Sequence, residues 1–309
     1  MIKKISKYLI IVMLVATTWF CFTTETVSAA SVGKVTNVKK TAVTKKYKEI
    51  VDASLKKKLV KYKAGYKITW KKKNNISGYK VYIYYPATKK WQCVKTTKKN
   101  NYILTNVLSN QKVKIKIRAY VEKDGVIDFG DYSKTISVKV KKSIYTKNKK
   151  GKLNKNFHDR LAAENAFVIQ NGYRTKAGED KIIWSEALYK VCLERAKEIS
   201  KNFTHAGWSD TVFDVLHKNY GIEDEYIWIK DGTSEYAESY TSGENITMGS
   251  DYFKDAMRSW RKSPGHYHNL VSKTRKSGAI ACYRTKKETY WVALFADIDV
   301  DKELNETSK

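Results

Sequence analysis

A change of hydrophobic period near residue 150 constrains this chain more than any other feature. Up to residue 142, apolar side chains alternate with polar ones: Tyr66, Ile68 and Trp70, then Tyr79, Val81, Ile83 and Tyr85, then Val113, Ile115, Ile117 and Ala119, then Ile136, Val138 and Val140. Side chains of a strand leave on alternate faces, so each run buries one face only. Short runs of this kind between Asn-, Gly- and Asp-rich turns predict a small β-sandwich over 31–142. Residues 143–155 are lysine- and asparagine-rich without a period and read as a linker. From Asn156 the spacing turns helical: Phe157, Leu161, Ala162, Asn165, Val168 and Ile169 share one face, closed by Asn171-Gly172. A strand-like piece, 181–184, leads to a second helix opened by Ser185. That helix carries Ala187, Leu188, Val191, Cys192, Arg195, Ala196 and Ile199 on one face and ends near 202–207. A third helix, 252–260, runs into the turn Ser263-Pro264-Gly265, which presents His266. Two strands, 277–284 and 289–296, complete a second domain over 156–298, and 299–309 is left as a tail.

The first thirty residues stand outside this pattern. Lys3, Lys4 and Lys7 precede an apolar run from Tyr8 to Phe22, and Val27-Ser28-Ala29-Ala30 follows. A basic start, a run too short for a stable span and a small-residue site predict a secretory signal peptide over 1–30. Beyond it the charge is lopsided. Residues 31–142 hold 30 Lys and Arg against 6 Asp and Glu, whereas 143–309 hold 27 against 24. Of the four cysteines, Cys21 lies in the first thirty residues, and Cys93, Cys192 and Cys282 beyond them make an odd count, too few for a disulfide framework, so the core has to come from apolar burial. Lysine outnumbers arginine 52 to 8, and the chain reads as an exported protein of a Gram-positive bacterium. The basic module has two readings. Its lysines keep strand faces soluble and edges protected, or they hold the molecule on an anionic wall polymer or membrane surface. Nucleic acid is not expected as a partner, because the module is exported and its aromatics read as core rather than as a stacking stripe.

The order of strand signals in 31–142 resembles a fibronectin type III module. The Trp70 strand is similar to its strand B, Gly78-Tyr79-Lys80-Val81-Tyr82 to strand C, and Lys114 to Tyr120 to strand F. Val113 replaces the tyrosine usual at the start of strand F, and 45–64 is a long lysine-rich insertion. The second domain resembles the CAP superfamily (cysteine-rich secretory, antigen 5 and pathogenesis-related 1 proteins) in its bacterial form. Asn171 with Arg174, Trp184-Ser185-Glu186-Ala187-Leu188, Phe203-Thr204-His205 and Gly243-Glu244-Asn245-Ile246 carry the likeness. So do Trp260 with Ser263-Pro264-Gly265-His266 and Asn269-Leu270, Gly278-Ala279-Ile280-Ala281, and Tyr290 to Phe295. The resemblance implies an α/β/α three-layer sandwich following the all-β one. It also implies a central cleft lined by His205, His266 and Glu244. The second acid of animal and plant members falls at Ser263 here.

Two imidazoles and a carboxylate read in three ways. They can ligate Zn²⁺ or another divalent metal, form a pH-sensitive polar network without one, or carry catalysis. Ser263, His266 and Glu244 superficially make a Ser/His/acid set, but Ser263 precedes Pro264 without a nucleophile-elbow pattern, and a helix-terminating hydrogen bond is the expected role. Glu235 or Glu238 is a candidate replacement for the missing acid. Trp184, Trp260, Trp291 and Phe295 are expected in the core, with a lipid groove as the alternative. The reading that results is a secreted, cell-envelope binding protein: its cleft takes a divalent metal, a small molecule or a lipid, and its basic module serves adhesion. The alternative is a metal-dependent hydrolase of peptide or cell-wall material.

Overall fold

A computed structural model of the chain describes residues 32–50, 57–107, 111–140, 158–222, 240–249, 251–285 and 287–307. Residues 1–30, read as a signal peptide, residues 143–155, read as a linker, and Glu235 and Glu238 lie outside the described residues.

The alternating runs become two antiparallel sheets. One has the order β1 (Lys39–Ile50), β2 (Lys57–Thr69), β5 (Asn101–Leu104). The other runs β4 (Lys90–Thr97), β3 (Gly78–Tyr85), β6 (Gln111–Lys123), and β6 takes both β7 (Val126–Phe129) and β8 (Ile136–Val140) on its far side. Tyr79, Val81, Ile83, Val113, Ile115, Ile117 and Ala119 face Ile68, Trp70 and Leu104, all buried in one core. Trp70 and Tyr79 meet edge to face at 5.2 Å. The described parts of the insertion, 45–50 and 57–64, pair with each other, Lys45 opposite Tyr62 and Tyr47 opposite Val60, so they extend the β1–β2 pairing. One expectation is corrected. Tyr84, Trp91 and Tyr132 are not core, because they lie on the outer face of the second sheet beneath basic side chains, and Tyr82, though buried, lies there too under Arg118.

The second domain is built on the sheet β10 (Gly243–Met248), β12 (Thr289–Ala296), β11 (Ser277–Arg284), β9 (Ile183–Trp184). Nearly every residue of β11 and β12 is buried, which requires cover on both faces. Helix α1 (Asp159–Lys176) packs on β11 and on α4 (Phe253–Lys262) and α5 (Pro264–Val271). Helix α2 (Glu186–Ile199) packs on β11 and β12 and on α3 (Trp208–Tyr220). The layers are those expected, and the strands 277–284 and 289–296 stand where predicted.

The helices differ in detail. α1 does not stop at Asn171-Gly172. The Asn171 side chain pairs in both directions with the Ile182 backbone, at 3.0 Å each way, so it fastens the chain before β9 and does not cap a helix. The helix ends at Lys176 and is capped by Ala177, and Gly178 follows with a φ of +82° that suits a residue without a side chain. Val168, predicted on the buried face, is 46% exposed; Glu164, Gln170 and Arg174 are buried in its place. The tail forms α6 (Val300–Thr307), and its Val300 and Leu304 are buried in the core. Helix α3 occupies a stretch where no helix was expected.

The two domains share α1. Leu161 is buried in the sandwich core, while Ala162, Ala163 and Ala166 belong to the α/β core. Glu164 is fully buried between them. It accepts bonds from Ala87 N (3.0 Å), Thr88 N (3.1 Å) and Thr88 Oγ1 (3.2 Å) of the β3–β4 turn, and from Arg160 Nε (2.8 Å).

Candidate functional site

The predicted site residues gather at β10, the end strand of the sheet, where the loop after α2 comes opposite α5. Among the described residues β10 pairs only with β12, Glu244 opposite Leu294 and Asn245 opposite Ala293. Consecutive side chains diverge, so Glu244 reaches α2 while Asn245 reaches α5. The outer edge of β10 would expose bare carbonyls. Instead, Asn269 Nδ2 donates to Glu244 O (3.3 Å) and Trp260 Nε1 donates to Ile246 O (3.1 Å). Asn245 Nδ2 donates to His266 O at 2.9 Å and Asn245 Oδ1 accepts from Asn269 at 3.0 Å. The Trp260 and Asn269 signals of the sequence are thus supports that seal the edge and hold the α5 segment.

The predicted turn is shorter than expected. Ser263 alone interrupts the helices, in extended geometry (φ −93°, ψ 120°). Pro264 opens α5, where its missing N–H leaves nothing unsatisfied. Ser263 makes no side-chain capping bond, contrary to expectation; its carbonyl accepts from Tyr267 N at 2.8 Å. His266 therefore sits in the first turn of α5, facing His205 from the loop after α2, with ring centroids 6.4 Å apart.

The structure brings His205, Glu244 and His266 to one place and adds Arg195, which the sequence reading left on the apolar face of α2. Arg195 Nε donates to Glu244 Oε1 at 2.6 Å and Nη2 to Thr204 O at 2.7 Å, while Nη1 lies 2.9 Å from Glu198 Oε2. The Arg195 and Glu244 side chains are 1% and 3% exposed. Burial works against the Arg195 charge, but its bonds to Glu244 and Glu198 more than offset this and hold it protonated. The other Glu244 oxygen lies 2.7 Å from His205 Nδ1. A carboxylate can only accept, so His205 Nδ1 carries a proton, and in the neutral ring the free lone pair is on Nε2. The His205 side chain is 57% exposed. Partial burial, then the neighbouring His205, push the His266 pKa down, which favours its neutral form. An arginine among Leu188, Val191, Cys192 and Ile199 was the signal available in the sequence: a charge on an apolar stripe needs a buried partner.

The remaining histidines stand apart. His268 is exposed, His217 Nδ1 pairs with Ile222 O at 2.7 Å, and His158 precedes α1, where its backbone N–H donates to Asn106 O at 3.2 Å. Cys192 and Cys282 are separate buried thiols, and Cys93 is an exposed one. Among the described residues, no group of three or more His, Cys, Asp or Glu stands close enough to hold a metal, and no helix is long and apolar enough to cross a membrane.

Fold and site together define a class: an α/β/α domain whose buried arginine–glutamate pair backs one of two facing imidazoles. Residues 169–295 match the family model described as CAP, the cysteine-rich secretory protein family, and over these residues the chain carries a CAP domain. Among solved structures, a cysteine-rich secretory protein of Staphylococcus aureus (SAV1118) is similar at 10% identity, covering 84% of this chain and 88% of that one, with a TM-score of 0.31. An extracellular protein containing a SCP domain from Bacillus anthracis matches at 11% identity, with coverage of 75% and 82% and a TM-score of 0.31. The CAP domain of enterococcal PrgA matches at 15% identity, with coverage of 46% and 63% and a TM-score of 0.32. Among curated proteins, none matches.

Proposed function

We propose that the chain is an exported bacterial CAP-domain protein whose cleft binds a ligand through the imidazoles of His205 and His266. Its sandwich is read as fibronectin type III-like and as the part that keeps the molecule at the envelope. One observation carries the cleft reading: Glu244 is committed to Arg195 and His205, while His205 Nε2 is turned out as an acceptor opposite a second imidazole. That is how a carboxylate behind a histidine prepares it for a divalent metal. His205 and His266 would supply the ligand nitrogens, and Glu244 would fix the His205 ring without being a ligand itself. A bound Zn²⁺ would polarise a small molecule or bring a bound water's pKa towards about 7. Small anionic or lipid ligands meet the same two imidazoles.

Zinc titration of the full chain, with the bound metal counted, tests this. One ion per chain is expected, lost in His205→Ala and in His266→Ala and held about 10- to 100-fold more weakly in Glu244→Gln. Zinc bound equally by all three variants would overturn it. The competing reading, metal-dependent hydrolysis of peptide or wall material, requires turnover that disappears in the same variants.

A further inference from the structure

Lys112, Lys114, Lys116 and Arg118 project in succession from the outer face of β6, their inward neighbours Val113, Ile115 and Ile117 being fully buried. Strand geometry sets such side chains about 7 Å apart in a row. The neighbouring strands add like charges directly opposite: Lys80 of β3 pairs with Arg118, and Lys139 of β8 with Lys112. Like charges in that relation destabilise a sheet. Among the described residues, no ion pair involves any of these six. Aromatic rings hold the cations in place. Lys116 Nζ lies 3.5 Å from the Tyr132 ring and 4.4 Å from that of Trp91, Arg118 lies 3.5 Å over Phe129, and Lys114 Nζ lies 4.9 Å over Tyr84. Partial burial, then the nearby Arg118, push the Lys116 pKa down, as expected for crowded, uncompensated charge.

We propose that this face binds a linear phosphodiester polymer of short polyols, laid along β6 with its phosphates on the cation row. The proposal rests on the reading of the chain as exported. Periodic cations match a periodic anion. The rings are already covered by ammonium and guanidinium groups, so they offer no bare platform for nucleobases. A membrane fits poorly, because the exposed apolar residues beside the row, Val126, Ile127 and Phe129, are interleaved with Asp124 and Asp128, which anionic headgroups repel.

The test is titration of the full chain with soluble poly(glycerol phosphate) at rising salt, which does not depend on where the protein resides. Binding is expected to weaken steeply with salt. The triple variant Lys114→Gln, Lys116→Gln, Arg118→Gln should lose at least about tenfold and flatten the salt slope by about 2. Trp91→Leu with Tyr132→Leu keeps every charge and should still lose several-fold. Lys34→Gln, Lys71→Gln, Lys72→Gln removes the same charge elsewhere on the module and should change little. Equal loss in both triple variants would reduce the effect to net charge and overturn the proposal, as would tighter binding to vesicles containing phosphatidylglycerol or to single-stranded DNA. Failure here with the chain still recovered outside the cell would sink the docking face alone; a chain retained inside would sink the export reading.

Discussion

Arg195 and Glu244 are each nearly inaccessible to water, and each makes the other's burial tolerable. Removing one partner of a buried pair strands a charge, at a cost of about 3–5 kcal/mol. Arg195→Leu is therefore expected to lower the unfolding free energy by that order in denaturant titration, with much of it recovered when Glu244→Leu is added. A loss below about 1 kcal/mol would show that the pair is not structural. Protons act at the same scale. Burial pushes the pKa of His266 below the ordinary value, and burial does the same at His158. On acidification the unfolded chain therefore binds protons before the folded one. Their contribution is fully present above about pH 6.5 and is lost as the pH falls from there through the folded values. The midpoint of thermal unfolding should drop between pH 7.5 and pH 5, with a shallower drop in His266→Gln and in His158→Gln. Identical pH profiles for wild type and both variants would refute this.

Among the elements, α2 shows how a long-range contact completes a local signal. Ser185 caps it, accepting from Leu188 N at 3.0 Å, and the C-terminal helix delivers a carboxylate to the same end. Asp301 accepts from Ser185 Oγ (2.7 Å), Glu186 N (2.8 Å) and Ala187 N (3.0 Å). A negative charge on exposed helix N–H groups stabilises by cap and dipole together. Asp301→Ala should cost about 1–2 kcal/mol in thermal unfolding, and deletion from residue 299 onward should cost more, because Val300 and Leu304 leave the core. The contrast shows what could be read from sequence. Ser185, the strands 277–284 and 289–296 and the inward positions of β3 and β6 were legible, because local pattern alone dictates them. Asp301, Arg195 and the true end of α1 were not. Asp301 and Arg195 act through partners distant in the chain, and Asn171, which mimics a helix stop, is spent on Ile182. The outward aromatics of β3 and β4 were misread for a related reason, since composition counts rings without saying which face they occupy. The imidazole pair was legible only through resemblance, since its members stand 61 positions apart in the chain.

At the scale of the whole molecule, Glu164 joins the domains by accepting three hydrogen bonds from the β3–β4 turn at a site closed to water, while a fourth, from Arg160, lies within α1. Glu164→Ala leaves the Ala87 and Thr88 N–H groups without their acceptor, and buried unmet donors cost about 1–3 kcal/mol each. Calorimetry of the wild type should show one cooperative transition, and the variant should show two, as the sandwich and the CAP domain melt apart. A single unshifted transition in the variant would mean that the junction does not couple them. The sharing of α1 also bears on ancestry. Leu161 is fitted to one core and Ala162 to the other, so adjacent residues of one helical turn answer to different domains. A recombination event cutting at the lysine-rich stretch would carry off a helix whose first turn was shaped by a neighbour left behind. Such a pair is inherited as a unit, and its two halves are expected to share one evolutionary history instead of circulating as interchangeable modules.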